Sequence, residues 1–460
     1  MTRQDVTRIG SFGIGLLAAL AMVSGCGNRE LILPGERFDL RAPLTDSMPE
    51  GEVAGAAVPL PLADVAAEED RTRPLALPAA QSPASWPQRG LNPAHLLPNL
   101  ALSGNLTPLW TVKIGRGNDR KHRITADPVV DGGRIFTLDS EATVMAHSTA
   151  GEALWSADLT TPGDRDGDAS GGGLAIAGGK LFATSGFGTV TALDPASGQV
   201  IWSQKIGAVG SAAPTVVGDI LYVMGRDNHA WAIRAGDGKV IWEVTGTPSV
   251  EGYVGGAGPA VDNRIAVLPF ASGEVVSVLR LSGVRSWATT VSGQRRGKVY
   301  AAVSDISGDP VLADGRVYAG NASGRLVALD AGTGERLWTA TEGTYGAVIP
   351  VGGSLFLVSD NAELVRLDAE TGARIWGTAL PNYVKAKPKK LKTVYAHYGP
   401  LLAGGRLLVA STDGLIRLFD PVSGAEAGQV ALPGGAASNP VVAGGVLYVV
   451  TAKGTLAAYR

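Results

Sequence analysis

A single phrase recurs along most of this chain and limits the folds that the chain can adopt. The phrase has the form LDxxTGxxxW: ALDAGTGERLW ends at Trp338, and RLDAETGARIW ends at Trp376. A related form, ALDPASGQVIW, ends at Trp202, and tryptophans recur every 38–51 residues from Trp155 to Trp376. Periods of about 40–45 residues are typical of the four-stranded blades of β-propellers. The repeat therefore predicts one large repeat domain.

Each copy of the repeat contains four short apolar runs. In the fifth copy these runs are DPVLA, RVYAG, RLVALD and ERLWTA. Asp-Gly, Gly-Gly or Ser-Gly pairs lie between the runs, where tight hairpins need residues that adopt a positive φ. Eight copies fill residues 110–460. The prediction is an all-β fold, an eight-bladed β-propeller of four-stranded antiparallel blades.

The last copy is shorter than the others. It stops at AKGTLAAYR, before the turn, the glycine and the tryptophan that follow in earlier copies, and so supplies three strands. The run LTPLWTVKIG around Trp110 has the form of a fourth strand and precedes the first full copy without partners of its own. Pairing of this N-terminal strand with the C-terminal blade would close the ring and remove its free edges. The alternative, an open solenoid of eight copies, leaves Trp110 without a partner strand.

The repeated tryptophans are predicted to be structural. A large flat ring at the end of each blade can wedge between neighbouring blades and so acts as a packing group. This interpretation covers Trp110, Trp155, Trp202, Trp242, Trp287, Trp338 and Trp376.

The N-terminus has the pattern of a bacterial lipoprotein signal peptide. Arg3 and Arg8 precede the apolar run IGSFGIGLLAALAMVSG, which is too short and too rich in glycine and alanine for a good membrane span. The run ends in VSGC, which resembles a lipobox, and Cys26 is the one cysteine of the chain. We predict a signal peptide over residues 1–25 and acylation of Cys26; the alternative is a plain secretory peptide. Asn28 in place of Asp favours the outer membrane over inner-membrane retention.

Residues 26–85 lack the periodicity of helices or strands. They are rich in proline and alanine, as in AGAAVPLPLADVAAEED. We predict a mostly disordered, lipid-anchored tether over 26–85, followed by the propeller over 86–460.

Composition and motifs exclude several kinds of chemistry. The formal net charge of −2 gives no general attraction to nucleic acid. Five scattered histidines offer no paired metal-ligand spacing, and no nucleotide-binding or nucleophile-elbow phrase occurs in a strand–helix context. We therefore predict no catalytic residues, no metal and no cofactor.

Two charged loops have alternative interpretations. DRDGD, from Asp164 to Asp168, has carboxylates at alternate positions, as hard-cation sites do, but it lacks the EF-hand glycine and glutamate and is expected to be an acidic surface loop. KAKPKKLK, from Lys385 to Lys392, is either a solvated loop or a contact for anionic lipid headgroups or an acidic partner.

The ALDxxTGxxxW phrase resembles the pyrroloquinoline-quinone (PQQ)-type propeller repeat, which quinoprotein dehydrogenases and the BamB family share. The lipobox at Cys26, the eight copies and the stretch SWPQRGLNPAHLLPNL make the whole mature chain resemble the α-proteobacterial sort of BamB. This resemblance implies a non-catalytic scaffold of the outer-membrane β-barrel assembly (BAM) machinery. It implies a lipoprotein anchored in the outer membrane and facing the periplasm. The implied partners are a POTRA domain of BamA and, further, unfolded outer-membrane proteins.

The same resemblance implies where BamA binds. The family's contact loops match VSDISGDP, with Asp305, Ser307 and Asp309, and VEGYVGGAG, with Tyr253 and Val254. Asp305 keeps a carboxylate of the family's acidic pair, whereas Ser307 does not. The alternative for Asp305 is an ordinary solvated carboxylate in a turn.

Two other functions remain open at this stage. One is a periplasmic PQQ-like propeller that binds a small ligand or acts as a quinoprotein enzyme; with Cys26 alone, the vicinal disulfide of that enzyme family is impossible. The other is an adaptor for a different envelope complex. The central channel distinguishes a cofactor site from a scaffold, because a cofactor needs convergent polar and charged side chains there.

Overall fold

The propeller is built entirely from short strands. The computed structural model describes residues 69–165, 167–207, 210, 212–249, 252, 255–291, 295, 303–385, 387 and 392–460. These residues form eight antiparallel four-stranded sheets and contain no helix. The fold is thus the predicted all-β, eight-bladed propeller.

In each blade the first strand is followed along the chain by the second strand. The first strands, which line the channel, are β2 (Val129–Asp131), β6 (Gly172–Ala177), β10 (Thr215–Val217), β14 (Ala260–Val261), β18 (Val311–Ala313), β22 (Ile349–Val351), β26 (His397–Ala403) and β30 (Val441–Ala443). The second strands are β3 (Arg134–Leu138), β7 (Lys180–Ser185), β11 (Ile220–Met224), β15 (Ile265–Pro269), β19 (Arg316–Asn321), β23 (Ser354–Val358), β27 (Arg406–Ser411) and β31 (Val446–Thr451).

The third and fourth strands complete the blades. The third strands are β4 (Thr143–Ser148), β8 (Thr189–Leu193), β12 (His229–Arg234), β16 (Glu274–Leu279), β20 (Arg325–Asp330), β24 (Glu363–Asp368), β28 (Leu415–Phe419) and β32 (Thr455–Tyr459). The outer strands are β5 (Ala153–Asp158), β9 (Val200–Lys205), β13 (Val240–Thr245), β17 (Arg285–Thr290), β21 (Arg336–Ala340), β25 (Arg374–Ala379), β29 (Glu426–Ala431) and, for blade 8, β1 (Pro108–Lys113).

The two ends of the chain close the ring, as predicted from the shortened last copy. β1 pairs with β32 in antiparallel register, with Trp110 opposite Ala458 and Lys113 opposite Thr455. Blade 8 therefore takes three strands from the C-terminus and one from the N-terminus. Separating either end from the ring would expose an unpaired strand edge, so closure stabilises all eight blades.

Burial follows from the position of each strand. Second and third strands such as LFATS in β7 are buried along their length because neighbouring blades cover both faces. Outer strands alternate, as in the exposed and half-buried pattern of β9, because one side faces solvent. This is why the middle runs of each copy read as continuous apolar stretches.

Tryptophans and glycines interlock successive blades. Trp155 ends blade 1, and its indole Nε1 donates a hydrogen bond to the carbonyl of Pro195 in blade 2, 3.1 Å away. A Cβ atom on Gly198 of the same turn would lie 2.6 Å from the Trp155 ring, and Gly198 has a φ of +75°. The ring therefore requires a glycine in the next blade. The other tryptophan–glycine contacts are Trp202–Gly238, Trp242–Gly283, Trp287–Gly334, Trp338–Gly372, Trp376–Gly424 and, across the closure, Trp110–Gly151.

The segment before the first strand lines the channel. Main-chain groups of residues 83–100 form hydrogen bonds with the inner edges of blades 1, 2, 4, 5, 7 and 8. Trp86 pairs with Val130 in blade 1, and Pro93 accepts a hydrogen bond from Val261 in blade 4. Leu100 then exchanges hydrogen bonds with Leu402 and Gly404 in blade 7. Inner edges that would otherwise need water are thereby satisfied by the chain itself.

Residue 86 is the predicted start of the propeller, and described residues on both sides of it contact the blades. Residues 69–85 already contact the propeller, since Asp70 donates to the Ile375 carbonyl and the Pro83 carbonyl accepts from Gly444. The predicted signal peptide and most of the predicted tether lie outside the described residues.

Candidate functional site

Three blades place a polar residue before the proline that directly precedes the channel-lining strand. These are Asp127 in DPVV of blade 1, Asp309 in DPVL of blade 5 and Asn439 in NPVV of blade 8. A residue before proline is held in an extended conformation, which fixes the direction of its side chain. Blades 1 and 5 lie on opposite sides of an eight-blade ring, so Asp127 and Asp309 approach the channel from opposite sides.

Arg89 of the channel segment lies between these two carboxylates. Its Nε atom is 2.9 Å from Asp309 Oδ2 and 3.4 Å from Asp127 Oδ2. Its Nη1 atom donates a hydrogen bond to the Gly256 carbonyl at 3.4 Å. One guanidinium thus joins both sides of the channel.

Further bonds satisfy the remaining carboxylate oxygens. Asn439 donates to Asp127 from its backbone N at 2.8 Å and from Nδ2 at 3.2 Å. The Gly258 backbone N donates to Asp309 Oδ1 at 2.7 Å. Burial opposes the charge of Arg89, but Asp309 and Asp127 outweigh it and raise the Arg89 pKa, so the cation persists. Burial is also the main cause that raises the pKa of Asp127.

Comparison with known proteins gives the family. A family model described as "Outer membrane protein assembly factor BamB" matches residues 140–378 and 386–460. A protein with that name from Shewanella oneidensis is 26% identical over 367 residues, which is 76% of this chain and 87% of the relative. The Escherichia coli K12 protein of the same name is 25% identical over 373 residues, 78% of this chain and 90% of the relative.

The chain belongs to the BamB family.

Solved structures share its fold. BamB from Moraxella catarrhalis matches with a TM-score of 0.64 and 17% identity, covering 77% of this chain and 100% of that one. A quinohemoprotein alcohol dehydrogenase from Comamonas testosteroni matches with a TM-score of 0.61 and 15% identity, covering 83% of this chain and 81% of the enzyme. At these identities the likeness concerns the fold alone.

The channel of this BamB-family chain does not fit a quinone cofactor of the enzyme's type. Beside Arg89 there remains a cavity of about 40 Å³, lined by Trp86, Leu97, Asp127 and Asn439 among others. That volume holds a few water molecules, whereas small-molecule sites are about 300–1,000 Å³. The charged groups expected of a cofactor site are present, but they neutralise one another across the chain's own segment.

Three of the five residues predicted to contact BamA are buried. Asp305, Ser307 and Asp309 are each only 6% exposed. Ser307 Oγ donates to the Thr344 carbonyl at 2.7 Å, and Asp309 belongs to the Arg89 site. The alternative of an ordinary solvated turn for Asp305 does not match this burial. Tyr253 and Val254 lie outside the described residues, so their predicted contact stays a prediction.

Asp305 is one of the residues that line a shallow surface depression. Arg226, Gly252 and Asp305 are among its lining residues. Arg226 is exposed and donates from Nη2 to the Gly252 carbonyl at 3.1 Å. The depression joins a turn of blade 3 to the two predicted partner loops, and Arg226 is its accessible charged group.

A second arginine, which the sequence analysis missed, holds the N-terminal strap, residues 69–77. Arg366 of β24 is fully buried and donates to the carbonyls of Arg73 at 2.9 Å and Pro74 at 3.0 Å. It also donates to Val422 of blade 7 at 3.2 Å. Arg366 lies opposite Trp376, where the corresponding blade positions are alanine in five of the other blades: Ala146, Ala192, Ala232, Ala328 and Ala458. The sequence signal for this site was VRLD at residues 365–368, where the preceding copy has VALD at residues 327–330.

The strap covers one outer strand edge. Asp70 donates from its backbone N to the Ile375 carbonyl at 2.9 Å, and Ile375 is 3% exposed. Ile201, which also precedes a blade tryptophan, is 46% exposed. The other counterparts that precede a tryptophan and stay exposed are Leu109, Leu154, Ile241 and Leu337.

The acidic loop DRDGD contacts a histidine. The Gly167 carbonyl accepts from His122 Nε2 at 2.7 Å, while His122 Nδ1 lies 2.9 Å from Asp119 Oδ2. Both ring nitrogens face acceptors, and the Asp119 bond is the main cause that raises the His122 pKa. Among described residues, Asp119, His122 and Glu141 bring atoms that could ligate a metal close together. A protonated His122 between these carboxylates explains the same arrangement without a metal. Asp166 lies outside the described part of the chain.

Cys26, the predicted lipidation site, lies outside the described residues. Within the described ranges, no helix has the length and hydropathy to cross a membrane.

Proposed function

We propose that this chain is a non-catalytic scaffold subunit of the outer-membrane β-barrel assembly machinery. In this role it binds a POTRA domain of BamA and assists the folding and insertion of outer-membrane β-barrel proteins. Membership of the BamB family and relatives named outer membrane protein assembly factor support this proposal.

The observation that carries the proposal is the filled channel. Residues 86–97 and the Arg89 site take up the place where a propeller enzyme would hold its cofactor. The loops between blades and the outer strands are then the surfaces that can meet other molecules. Such surfaces suit contacts with proteins.

The depression between blades 3 and 5 is the proposed BamA contact. It is lined by residues of both loops that the resemblance assigned to BamA, Gly252, Gly256 and Ala257 of one and Asp305 of the other. Because Asp305, Ser307 and Asp309 are buried, replacing them would combine loss of stability with loss of binding. Arg226 is exposed and forms a hydrogen bond to the Gly252 carbonyl, so its replacement changes the charge of this surface without removing a buried group.

Purification of the tagged protein from mild detergent tests this proposal. BamA should be recovered with the wild type and reduced with Arg226→Glu. The matched control is Lys453→Glu, which reverses an exposed charge in the corresponding turn of blade 8. Equal recovery from both variants would move the contact elsewhere, and no BamA with the intact wild type would overturn the scaffold role.

The outer strands are the proposed contact for unfolded clients. An exposed strand edge pairs with an extended chain through main-chain hydrogen bonds, and alternate side chains supply apolar contact. The strap on blade 6 is an example of an extended segment held on such an edge. A photo-crosslinking residue at position 201 should therefore capture unfolded outer-membrane proteins, whereas one at 375 should not. Capture at both positions or at neither would argue against edge pairing.

The proposed location is the periplasmic side of the outer membrane, through acylated Cys26. Several acyl chains together give nearly permanent anchoring. Cys26→Ser should release the protein into the soluble periplasmic fraction when membranes are washed at high salt. Persistent, salt-resistant membrane association of this variant would exclude the acyl anchor as its cause.

A further inference from the structure

The connection between β25 and β26 forms a hairpin on the rim of blade 6. Tyr383 bridges Val394 in antiparallel register. Val384 donates from its backbone N to the Thr393 carbonyl at 3.0 Å, and Tyr395 donates to the Asn382 carbonyl at 2.7 Å. These bonds hold the two arms of the hairpin together.

The hairpin arms expose apolar side chains that the fold does not use. Tyr383 is 43% exposed, Val384 is 41% exposed and Val394 is 57% exposed. Lys385, Lys387 and Lys392 are exposed beside them. An aromatic and aliphatic group flanked by lysines is the composition of segments that lie at membrane interfaces.

The charge of the hairpin is unbalanced. The stretch PNYVKAKPKKLKTVYA contains no Asp or Glu. In the described part of the hairpin, no lysine forms an ion pair with a described carboxylate. The hairpin is thus a basic surface whose lysines are available to bind an anionic ligand.

The strap reaches the propeller on the same blade. Asp70 bonds Ile375 near the start of β25, and the hairpin follows the end of that strand. From Ile375 to Tyr383 the distance along an extended chain is at most about 30 Å. Under the proposed anchor, the chain that leads to the lipid and the basic hairpin therefore share the rim of blade 6.

We propose that the blade 6 hairpin binds anionic phospholipid headgroups at the surface of the membrane to which the chain is tethered. The lysines contact lipid phosphates, and the exposed tyrosine and valines lie in the interface. The opposite rim then points away from the membrane, toward the periplasm. The orientation rests on the proposed acyl anchor, but lipid binding by the hairpin does not.

Vesicle binding by the full mature chain carrying Cys26→Ser tests the hairpin without the anchor. The probes are vesicles of phosphatidylcholine with phosphatidylglycerol and vesicles of phosphatidylcholine alone. We expect binding to the anionic vesicles only, weakened at high salt because salt screens exposed charges. Replacing Lys385, Lys387 and Lys392 with glutamine should weaken binding roughly 100-fold, since each lysine near an anionic surface contributes roughly 5-fold.

A matched control separates the hairpin from net charge. The triple variant Lys113→Gln, Lys205→Gln, Lys239→Gln loses the same charge from exposed positions on blades 8, 2 and 3. It should bind like the parent chain. Tyr383→Ala with Val394→Ala should weaken binding at both low and high salt, because the apolar contact is not screened.

Three outcomes would overturn the inference. The first is unchanged vesicle binding by the hairpin triple variant, and the second is an equal loss of vesicle binding in the control triple variant. The third is that the hairpin triple variant loses binding to an acidic protein partner but keeps its binding to anionic vesicles. Recovery of BamA with the chain whose hairpin is intact reports separately on the scaffold role. If that chain binds anionic vesicles but recovers no BamA, the result counts against the proposed function and leaves the hairpin inference standing.

Discussion

Two arginines fix the N-terminal segment to the propeller, one in the channel and one at the rim, and they do so in opposite ways. In the channel the arginine belongs to the segment, and the blades supply the carboxylates Asp127 and Asp309. At the rim the arginine belongs to the blade, and the strap supplies neutral carbonyls of Arg73 and Pro74. The two attachments therefore respond differently to mutation.

The channel attachment is ionic and enclosed. Removing Arg89 would leave two buried carboxylates on opposite sides of the channel with no cation between them. The rim attachment centres on hydrogen bonds from the single buried guanidinium of Arg366, with a partly exposed ion pair between Arg73 and Asp368 beside them. Burial, and then the nearby Arg73, lower the pKa of Arg366. Its loss would leave carbonyls that can turn to water once the strap lifts, so the rim is the weaker of the two attachments.

The largest effect is expected from Arg89→Met. Breaking a buried ion pair by removing one partner costs about 3–5 kcal/mol. The free energy of unfolding at neutral pH, measured by denaturant titration, should fall by that amount. A decrease below about 1 kcal/mol would show that the channel is not the tighter attachment.

A compensated variant sharpens this test. In the triple variant Arg89→Met, Asp127→Asn, Asp309→Asn, the isolated charges are removed together with the cation. Much of the lost stability should return, because neutral groups need less compensation when buried. If the triple variant is as unstable as Arg89→Met, then packing of the arginine stem rather than charge is what matters.

A smaller, local effect is expected from Arg366→Ala. Alanine is the residue that most other blades carry at this position, so blade 6 should keep its fold. The strap loses its buried donors, and each unsatisfied carbonyl weakens docking by about 1–3 kcal/mol. Cleavage by trypsin after Arg71 should become much faster, while denaturant unfolding of the propeller changes little.

Arg325→Ala is the matched control for this variant. Arg325 is on the corresponding strand of blade 5, and the strap does not contact it through any hydrogen bond within the described residues. Its cleavage pattern should equal that of the wild type. In Arg366→Ala, crosslinking from position 375 should also appear, because the outer edge of blade 6 becomes as open as that of blade 2. Slow cleavage after Arg71 in Arg366→Ala would disprove the comparison between rim and channel.

The fold could be predicted from the sequence because the repeated residues are the ones that form the contacts between blades. A glycine in each turn and a tryptophan at each blade end are both required by the same interlock, as at Trp155 and Gly198. Ring closure followed because the last copy lacks one strand and Trp110 provides it. In the fifth copy the predicted runs RVYAG and RLVALD agree closely with β19 (Arg316–Asn321) and β20 (Arg325–Asp330), since Asp-Gly and Ser-Gly turns precede them.

The site was less accessible to sequence reasoning. Apart from Arg89, the channel segment binds largely through main-chain groups, which any sequence possesses, so the stretch PQRGLNPAHLLPNL gave no signal of its position in the channel. Asp127 and Asp309 were visible as Asp-Pro pairs, but their meeting at Arg89 depends on the ring geometry. Arg366 was visible as an arginine in place of alanine, and only the strap explains it.

The smallest effect concerns the pH dependence of the rim. Asp368 pairs with Arg73 of the strap and accepts hydrogen bonds from Thr371. Burial opposes ionisation of Asp368, but the bonds from Thr371 and Arg73 outweigh it and lower its pKa. Because the folded pKa is below the unfolded value of about 3.9, the stabilisation is present above that pH and is lost as pH falls through the folded pKa.

Amide exchange at Asp70, corrected for its intrinsic pH dependence, reports this loss. Protection should be constant near neutral pH and should decline below about pH 4. With Asp368→Asn the decline should disappear, and protection at neutral pH should be slightly lower, by up to about 1 kcal/mol, because Arg73 is partly exposed and its ion pair is screened. The channel gives the contrast: the Trp86 amide, bonded to Val130 beside Arg89, should keep its protection at the pH where the strap loosens. Simultaneous loss at Asp70 and Trp86 would mean that the strap and the channel segment are released as one unit and not as two attachments of different strength.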